Sequence, residues 1–161
     1  MKKSLLLIPS LLALTACQNS YVMNESSFFL IMTHIQYYPE EYLNRDLTFD
    51  CFTYELTSIE GETYLCGVRK CSSGYGCKCG KDTIIGFLME KDIGLPEPKN
   101  QYEDTNDKSW IHVIGQIEST EKTKIAIYGI DNAIEEVWFL SFKVETFSLI
   151  DDYSNLHYYV E

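Results

Sequence analysis

Four of the six cysteines in this 161-residue chain lie in one short, glycine-containing stretch. Cys66, Cys71, Cys77 and Cys79 have the spacing C-x4-C-x5-C-x-C. Clustered cysteines form disulfides, bind metals such as zinc, or act as reactive thiols. Zinc ligand pairs usually stand two to four residues apart, and this spacing matches that pattern poorly. Asp82 follows the stretch and is predicted to support the loop by accepting hydrogen bonds from backbone amides.

The amino terminus indicates which of these chemistries is available, because redox conditions differ between compartments. Lys2 and Lys3 precede an apolar run from Leu5 to Leu14, which is too short to cross a bilayer. The run ends in Leu-Thr-Ala-Cys at Cys17, and this arrangement resembles a bacterial lipoprotein signal. The resemblance implies cleavage before Cys17, acylation of that cysteine and attachment to a membrane. The alternative is an ordinary secretory signal peptide with a chance cysteine.

The predicted cleavage divides the chain into three parts. Residues 1–16 are a removed signal peptide, residues 17–27 are the lipidated cysteine and a polar tether, and residues 28–161 are one domain. The predicted location is the cell envelope. Inner-membrane lipoproteins usually carry Asp after the cysteine, so Gln18 favours the outer membrane, facing the periplasm, if the cell is Gram-negative.

Export makes disulfides the first expectation for the cysteine stretch. Lipidation of Cys17 leaves five cysteines, so at least one of them is expected to stay unpaired. Cys51 and Cys66 lie on the two arms of a predicted hairpin and are expected to approach each other. Two alternatives stay open: a zinc site made by the four clustered cysteines, or a reactive thiol whose pKa is lowered by Lys78 and Lys81. No cofactor is expected unless the zinc alternative holds.

Charge and motif content exclude several function classes. Removal of Lys2 and Lys3 with the signal changes the formal net charge from −11 to −13, which argues against a nucleic-acid partner. The sequence contains no G-x-S-x-G, H-E-x-x-H or phosphate-loop motif. We therefore predict a protein that is not an enzyme. A thiol oxidoreductase is the one enzymatic alternative, and the chain lacks the C-x-x-C motif typical of that class.

The remaining sequence reads as one helix followed by strands. The spacing of Phe28, Ile31, Met32 and Ile35 predicts a helix that ends at Pro39. Alternating apolar residues predict a hairpin with its turn at 58–61, a strand over 82–90, a surface loop over 91–108 and three later strands. This pattern predicts a mainly β fold, either a small closed barrel or a meander. The predicted core residues are Phe49, Ile84, Ile85, Val113, Ile125 and Phe139, and Trp110 is predicted to be at least half buried beside them.

The order of several short motifs resembles the extracytoplasmic domain of the small subunit of a two-part bacterial membrane permease. The motifs are Ile31-Met32, Pro39-Glu40-Glu41-Tyr42, Cys51-Phe52-Thr53-Tyr54, Cys77-Lys78-Cys79 with Asp82 and Gly86, and Trp110 to Gly115. The resemblance implies an OB-like barrel with a non-catalytic binding or assembly role, beside a membrane permease or another envelope protein. Asn44 and Cys51 stand where the family has glycines, and Asn44 is expected to tolerate a left-handed backbone. The lipid anchor replaces the family's transmembrane part.

Overall fold

The computed structural model describes residues 20–71, 83–129, 132–157 and 159–160. The helices and strands, in chain order, are β1 (Tyr21–Met23), α1 (Phe28–Tyr37), a 3-10 turn (Pro39–Glu41), β2 (Leu47–Thr57), β3 (Thr63–Cys71), β4 (Thr83–Met89), a second 3-10 turn (Lys91–Ile93), β5 (Trp110–Gln116), β6 (Lys122–Tyr128), β7 (Ile134–Leu149) and β8 (Tyr159–Val160). The predicted mainly β fold with an N-terminal helix is confirmed.

Five strands pair in a ring that forms a partly closed, OB-like barrel. β2 pairs antiparallel with both β3 and β5, β3 pairs antiparallel with β4, and β5 pairs antiparallel with β7. The ring closes where β4 meets β7 in parallel, at Leu88–Ser141 and Met89–Phe142. A five-stranded, partly open barrel is the architecture of the OB fold. The first part of β7 extends past this junction and forms a hairpin with β6.

The apolar faces of the strands form two clusters. The first cluster contains Phe49, whose ring lies 5.2 Å from that of Phe142, and α1 packs Phe28, Met32 and Ile35 against it. The second surrounds Trp110, which is 2% exposed and donates a hydrogen bond from Nε1 to a backbone carbonyl at 2.7 Å. Of the predicted core residues, Phe49, Trp110, Val113, Ile125 and Phe139 are buried, whereas Ile84 and Ile85 are partly buried and pack at the edges of the clusters.

The end of α1 and the turn after it follow from residue type. α1 stops before Pro39, which lacks the amide that a continuing helix would need, and the Tyr38 amide donates to the His34 carbonyl at 2.8 Å. Asn44 has a φ of +55°, in the left-handed region, and its amide donates to the Ile117 carbonyl at 2.9 Å. Asn44 therefore does what the sequence predicts for a residue standing in place of a turn glycine.

The segment before α1 differs from the predicted tether. Tyr21 to Met23 form β1, which pairs in parallel with the start of β2, and Met23 is buried in the first cluster. A three-residue strand is too short to show a period-two pattern, so its pairing depends on the distant strand that it meets. Only residues 18–20 separate Cys17 from the first strand.

Cysteine positions and a candidate binding groove

The structure places three of the candidate cysteines in strands. Cys51 lies in the middle of β2, and Cys66 and Cys71 lie in β3. All three side chains are buried. Cys17, Cys77, Cys79 and Asp82, the other predicted site residues, lie outside the described residues.

The predicted approach of Cys51 to Cys66 is wrong. The register of the hairpin places Cys66 opposite Tyr54, while on the other side of β2 Cys51 lies opposite Ile111 of β5. The two side chains also belong to different core clusters. Among the described residues no two cysteines form a disulfide, and Cys51 and Cys66 carry free thiols. The turn fixes a register in which these two cysteines are not partners.

The zinc site made by all four clustered cysteines is also incompatible with the fold. Cys66 and Cys71 are five residues apart in one regularly paired strand, so their side chains point to opposite faces. The strand separates their Cα atoms by about 16 Å, whereas thiolates on one zinc ion each lie about 2.3 Å from the metal. Within the described ranges, no group of three or more His, Cys, Asp or Glu side chains is placed to hold a metal ion.

Cys51 and Cys66 are unsuited to thiol chemistry. Burial raises the pKa of the Cys51 thiol far above its usual range, and the nearby Arg69 guanidinium offsets only part of that shift. Burial raises the pKa of Cys66 to about 12. A reactive cysteine is accessible and has a lowered pKa. These two thiols are therefore protonated packing groups.

Cys51 fits in the core because a glycine faces it. A Cβ atom on Gly67 would lie 2.9 Å from Cys51 Sγ and 2.0 Å from the Met89 terminal methyl. The sequence gives no signal for this role of Gly67, since no local pattern connects it to residues on two other strands.

Arg69 is a buried charge that joins distant segments. Its Nη1 lies 2.8 and 2.7 Å from the two carboxylate oxygens of Glu25 and donates to the His157 carbonyl at 2.7 Å. Its Nε donates to the Asp50 carbonyl at 3.1 Å, and the guanidinium lies 4.8 Å from the centre of the Trp110 ring. These contacts give the buried guanidinium a structural role.

A cross-strand pair occupies the outer face of the barrel. His112 Nδ1 lies 2.6 Å from Asp50 Oδ1, and the two residues are direct partners on β5 and β2. His34 Nδ1 similarly lies 3.0 Å from the Tyr42 hydroxyl. Both histidines thus contact a neighbouring polar side chain, which is a structural use of the imidazole ring.

Tyr64 lines two neighbouring cavities, of about 390 and 220 Å³. Their linings come from the β2–β3 turn, β3 and β4 on one side, and from the β5–β6 connection, β6 and β7 on the other. The Ile59 amide donates to the Ala126 carbonyl at 2.9 Å and holds the turn against β6. We call the two cavities together the Tyr64 groove.

Carboxylates outnumber ammonium groups in the Tyr64 groove. Its charged lining residues are Glu60, Glu62, Glu90, Glu118, Glu136, Lys91, Lys124 and Lys143. Lys124 pairs with Glu136 at 2.6 Å, and Lys143 pairs with Glu118 at 2.7 Å. Lys91 Nζ donates instead to the hydroxyl of Thr63 at 2.7 Å. The groove consequently has a negative net charge.

Tyr64 is oriented by one of these carboxylates. Its hydroxyl donates to Glu62 Oε2 at 2.6 Å, and this hydrogen bond raises the pKa of the tyrosine. The phenol ring and the acidic lining give the groove an aromatic surface beside unneutralised negative charge. Such a surface suits a ligand that carries positive charge on an apolar stem.

Comparison with known proteins identifies the amino-terminal segment. The family described as the prokaryotic membrane lipoprotein lipid attachment site matches residues 1–18, and Cys17 is the one cysteine among them. The protein is a lipid-anchored envelope lipoprotein of a bacterium. No curated protein and no solved structure matches the chain, so the resemblance to a permease subunit stays a prediction. Within the part of the chain that the structure describes, no helix has the length and apolar character needed to span a bilayer.

Proposed function

We propose that this lipoprotein is a non-catalytic binding module, anchored through acylated Cys17, that holds a basic, extended segment of another envelope protein in the Tyr64 groove. The observation that carries the proposal is the acidic, aromatic lining of this groove. OB-fold proteins commonly bind extended ligands beside two loops of the barrel. One loop joins the first and second barrel strands, and the other joins the fourth and fifth barrel strands. The β2–β3 turn and the β6–β7 hairpin occupy corresponding positions here.

The charge arrangement in the groove supports a cationic ligand. Lys124 and Lys143 already pair with carboxylates of the groove, whereas Glu60, Glu62 and Glu90 have no lysine partner among the described residues. A lysine or arginine of a partner would find these carboxylates available. To meet Lys124 or Lys143, an anionic ligand would have to displace their carboxylate partners, and Lys91 already donates to the Thr63 hydroxyl. Each exposed ion pair contributes at most about 1 kcal/mol, so several contacts along an extended segment are needed.

The partner is proposed to be a membrane-associated protein, because the lipid anchor confines the barrel to a membrane surface. A permease with a basic extracytoplasmic loop has the required chemistry, and the motif resemblance supports that choice. The thiol-redox alternative receives no support from Cys51 or Cys66, since both are buried and have raised pKa values.

The ligand class is tested with short peptides and the whole lipoprotein in detergent. Trp138 is the fluorescent reporter, because its side chain is half exposed and lies beside a lysine of the groove. Lys124 Nζ is 5.5 Å from the centre of the Trp138 ring and also pairs with Glu136. Tetralysine should change the Trp138 emission in a saturable manner that weakens with salt, and tetraglutamate should not. In Glu60→Gln/Glu62→Gln protein, affinity for tetralysine should fall by about tenfold, since two exposed charges of about 0.7 kcal/mol each are lost.

The matched control removes the same charge elsewhere. Glu40 and Glu41 are adjacent, exposed and far along the chain from the groove. Glu40→Gln/Glu41→Gln protein should bind tetralysine like the wild type. If both double variants lost the same affinity for tetralysine, net charge alone would account for binding, and the groove would be refuted as the site. Equal binding of tetraglutamate would refute the cationic ligand class.

A further inference from the structure

The outer side of α1 lacks charge in a strongly acidic protein. Residues 26–38 contain no Asp, Glu, Lys or Arg, whereas the chain has a net charge of −11. α1 buries one side, but Leu30 is 73% exposed and Tyr37 is 75% exposed. These two residues are seven positions apart and so lie on the same side of the helix, about 10 Å from each other along its axis. We call Leu30, Tyr37 and the half-exposed Tyr38 the outer face of α1.

The lipid anchor is attached close to the folded domain. Cys17 precedes Tyr21, the first residue of β1, by four positions. Four residues span at most about 14 Å whatever their conformation. The acyl chains therefore hold the start of β1 within that distance of the membrane interface.

A chain of aromatic contacts connects the start of β1 to the end of α1. The ring centres of Tyr21 and Tyr42 are 4.8 Å apart, and those of Tyr42 and His34 are 5.7 Å apart. The His34 ring lies 4.9 Å from that of Tyr38. The exposed tyrosines at the end of α1 consequently lie on the side of the molecule where the anchor emerges.

We propose that the outer face of α1 rests on the lipid surface that carries the anchor. Tyrosine favours the bilayer interface, where its ring meets apolar groups and its hydroxyl meets water, and Leu30 can contact acyl chains without burying a charge. Arg45 donates from Nη1 to the Tyr21 hydroxyl at 3.1 Å, which places a cation near lipid phosphates. Glu40 and Glu41 lie exposed just after the face, where water and headgroups can solvate them.

Because the connection between Cys17 and β1 is short, a weak contact with the lipid surface is sufficient to orient the domain. A contact between tethered groups is intramolecular, so its effective concentration is high and a few side chains can set the orientation.

Two equally exposed tyrosines provide the test. Tyr37 is on the outer face of α1, and Tyr102, which is 79% exposed, packs against Tyr54 near the far end of β2. Tyr37→Trp and Tyr102→Trp lipoproteins are reconstituted into phosphatidylethanolamine–phosphatidylglycerol vesicles with or without bromine on the acyl chains. Emission is corrected for the wild-type protein, which contributes Trp110 and Trp138 to both samples.

The added emission of Tyr37→Trp protein should be largely lost in brominated vesicles, while that of Tyr102→Trp protein should be retained. Equal quenching of both tryptophans would mean that the domain has no preferred orientation, and absence of quenching for Tyr37→Trp would mean that the face points elsewhere. Either result overturns the proposal. Both substitutions are at exposed positions, and unchanged melting temperatures would show that the fold is retained.

Discussion

At the residue scale, strand register determines what each cysteine can do. Cys51 and Cys66 lie in different clusters, and burial keeps both thiols protonated. Cys51 Sγ lies next to the space that a side chain at position 67 would fill, so the cysteine can be buried because residue 67 is a glycine. Among the described residues neither thiol has a disulfide partner.

Thiol labelling checks this assignment directly. Iodoacetamide at pH 8 should leave Cys51 and Cys66 unmodified in the native lipoprotein, since neither thiolate is populated or accessible. Both should be modified in guanidinium chloride without reductant, as determined by peptide mass spectrometry. Native labelling of either residue would indicate a reactive thiol. A requirement for reductant in guanidinium chloride would indicate a disulfide.

At the element scale, Arg69 connects segments that are far apart in sequence. β3 supplies the guanidinium, the turn between β1 and α1 supplies Glu25, β2 supplies the Asp50 carbonyl, and the C-terminal segment supplies the His157 carbonyl. The arginine is almost completely buried, so its charge depends on these partners. One side chain therefore joins β2 and β3 to the segment before the barrel strands and to the segment after them.

Removal of the Glu25 carboxylate should destabilise the folded protein. Glu25→Ala is expected to lower the free energy of unfolding by about 2 kcal/mol, less than for a fully buried pair because the Glu25 side chain is 33% exposed. Urea denaturation followed by Trp110 fluorescence measures this change. Glu121→Ala, at an exposed glutamate, is the matched control and should alter stability little. A loss below about 0.5 kcal/mol for Glu25→Ala would show that water replaces the carboxylate adequately.

At the scale of the whole molecule, the anchor and the barrel act together. The lipid attachment signal places the protein in the envelope, and only three residues separate Cys17 from β1. The proposed membrane contact lies near the anchor, and the proposed binding groove lies between strands of the same anchored barrel. This arrangement would present a basic partner segment to a barrel held at a fixed height and orientation above the lipid.

Attachment through Cys17 has a direct test. In cells given labelled palmitate, the wild-type protein should acquire the label and sediment with membranes after carbonate extraction. Cys17→Ser protein should acquire no label, because the acylated thiol is absent. Residues 18–161 exported behind an ordinary secretory signal should be recovered in the soluble fraction. Label on Cys17→Ser protein would place the acyl group on another residue.

Features that depend on local pattern could be predicted from the amino-acid sequence. The apolar run before Cys17 identified the lipoprotein signal, and alternating apolar residues predicted the strands from β2 to β7 and a mainly β fold. Pro39 and Asn44 predicted the end of α1 and a left-handed turn. These features are readable because backbone geometry and residue chemistry within a few positions fix them.

Contacts between residues that are distant in sequence became evident from the folded structure. Pairing with β2 made Tyr21 to Met23 a strand, and hairpin register separated Cys51 from Cys66. The Tyr64 groove and the contacts of Arg69 likewise combine side chains from separate strands and loops. A local pattern cannot specify such contacts, because they depend on ring closure and on the packing of segments tens of residues apart.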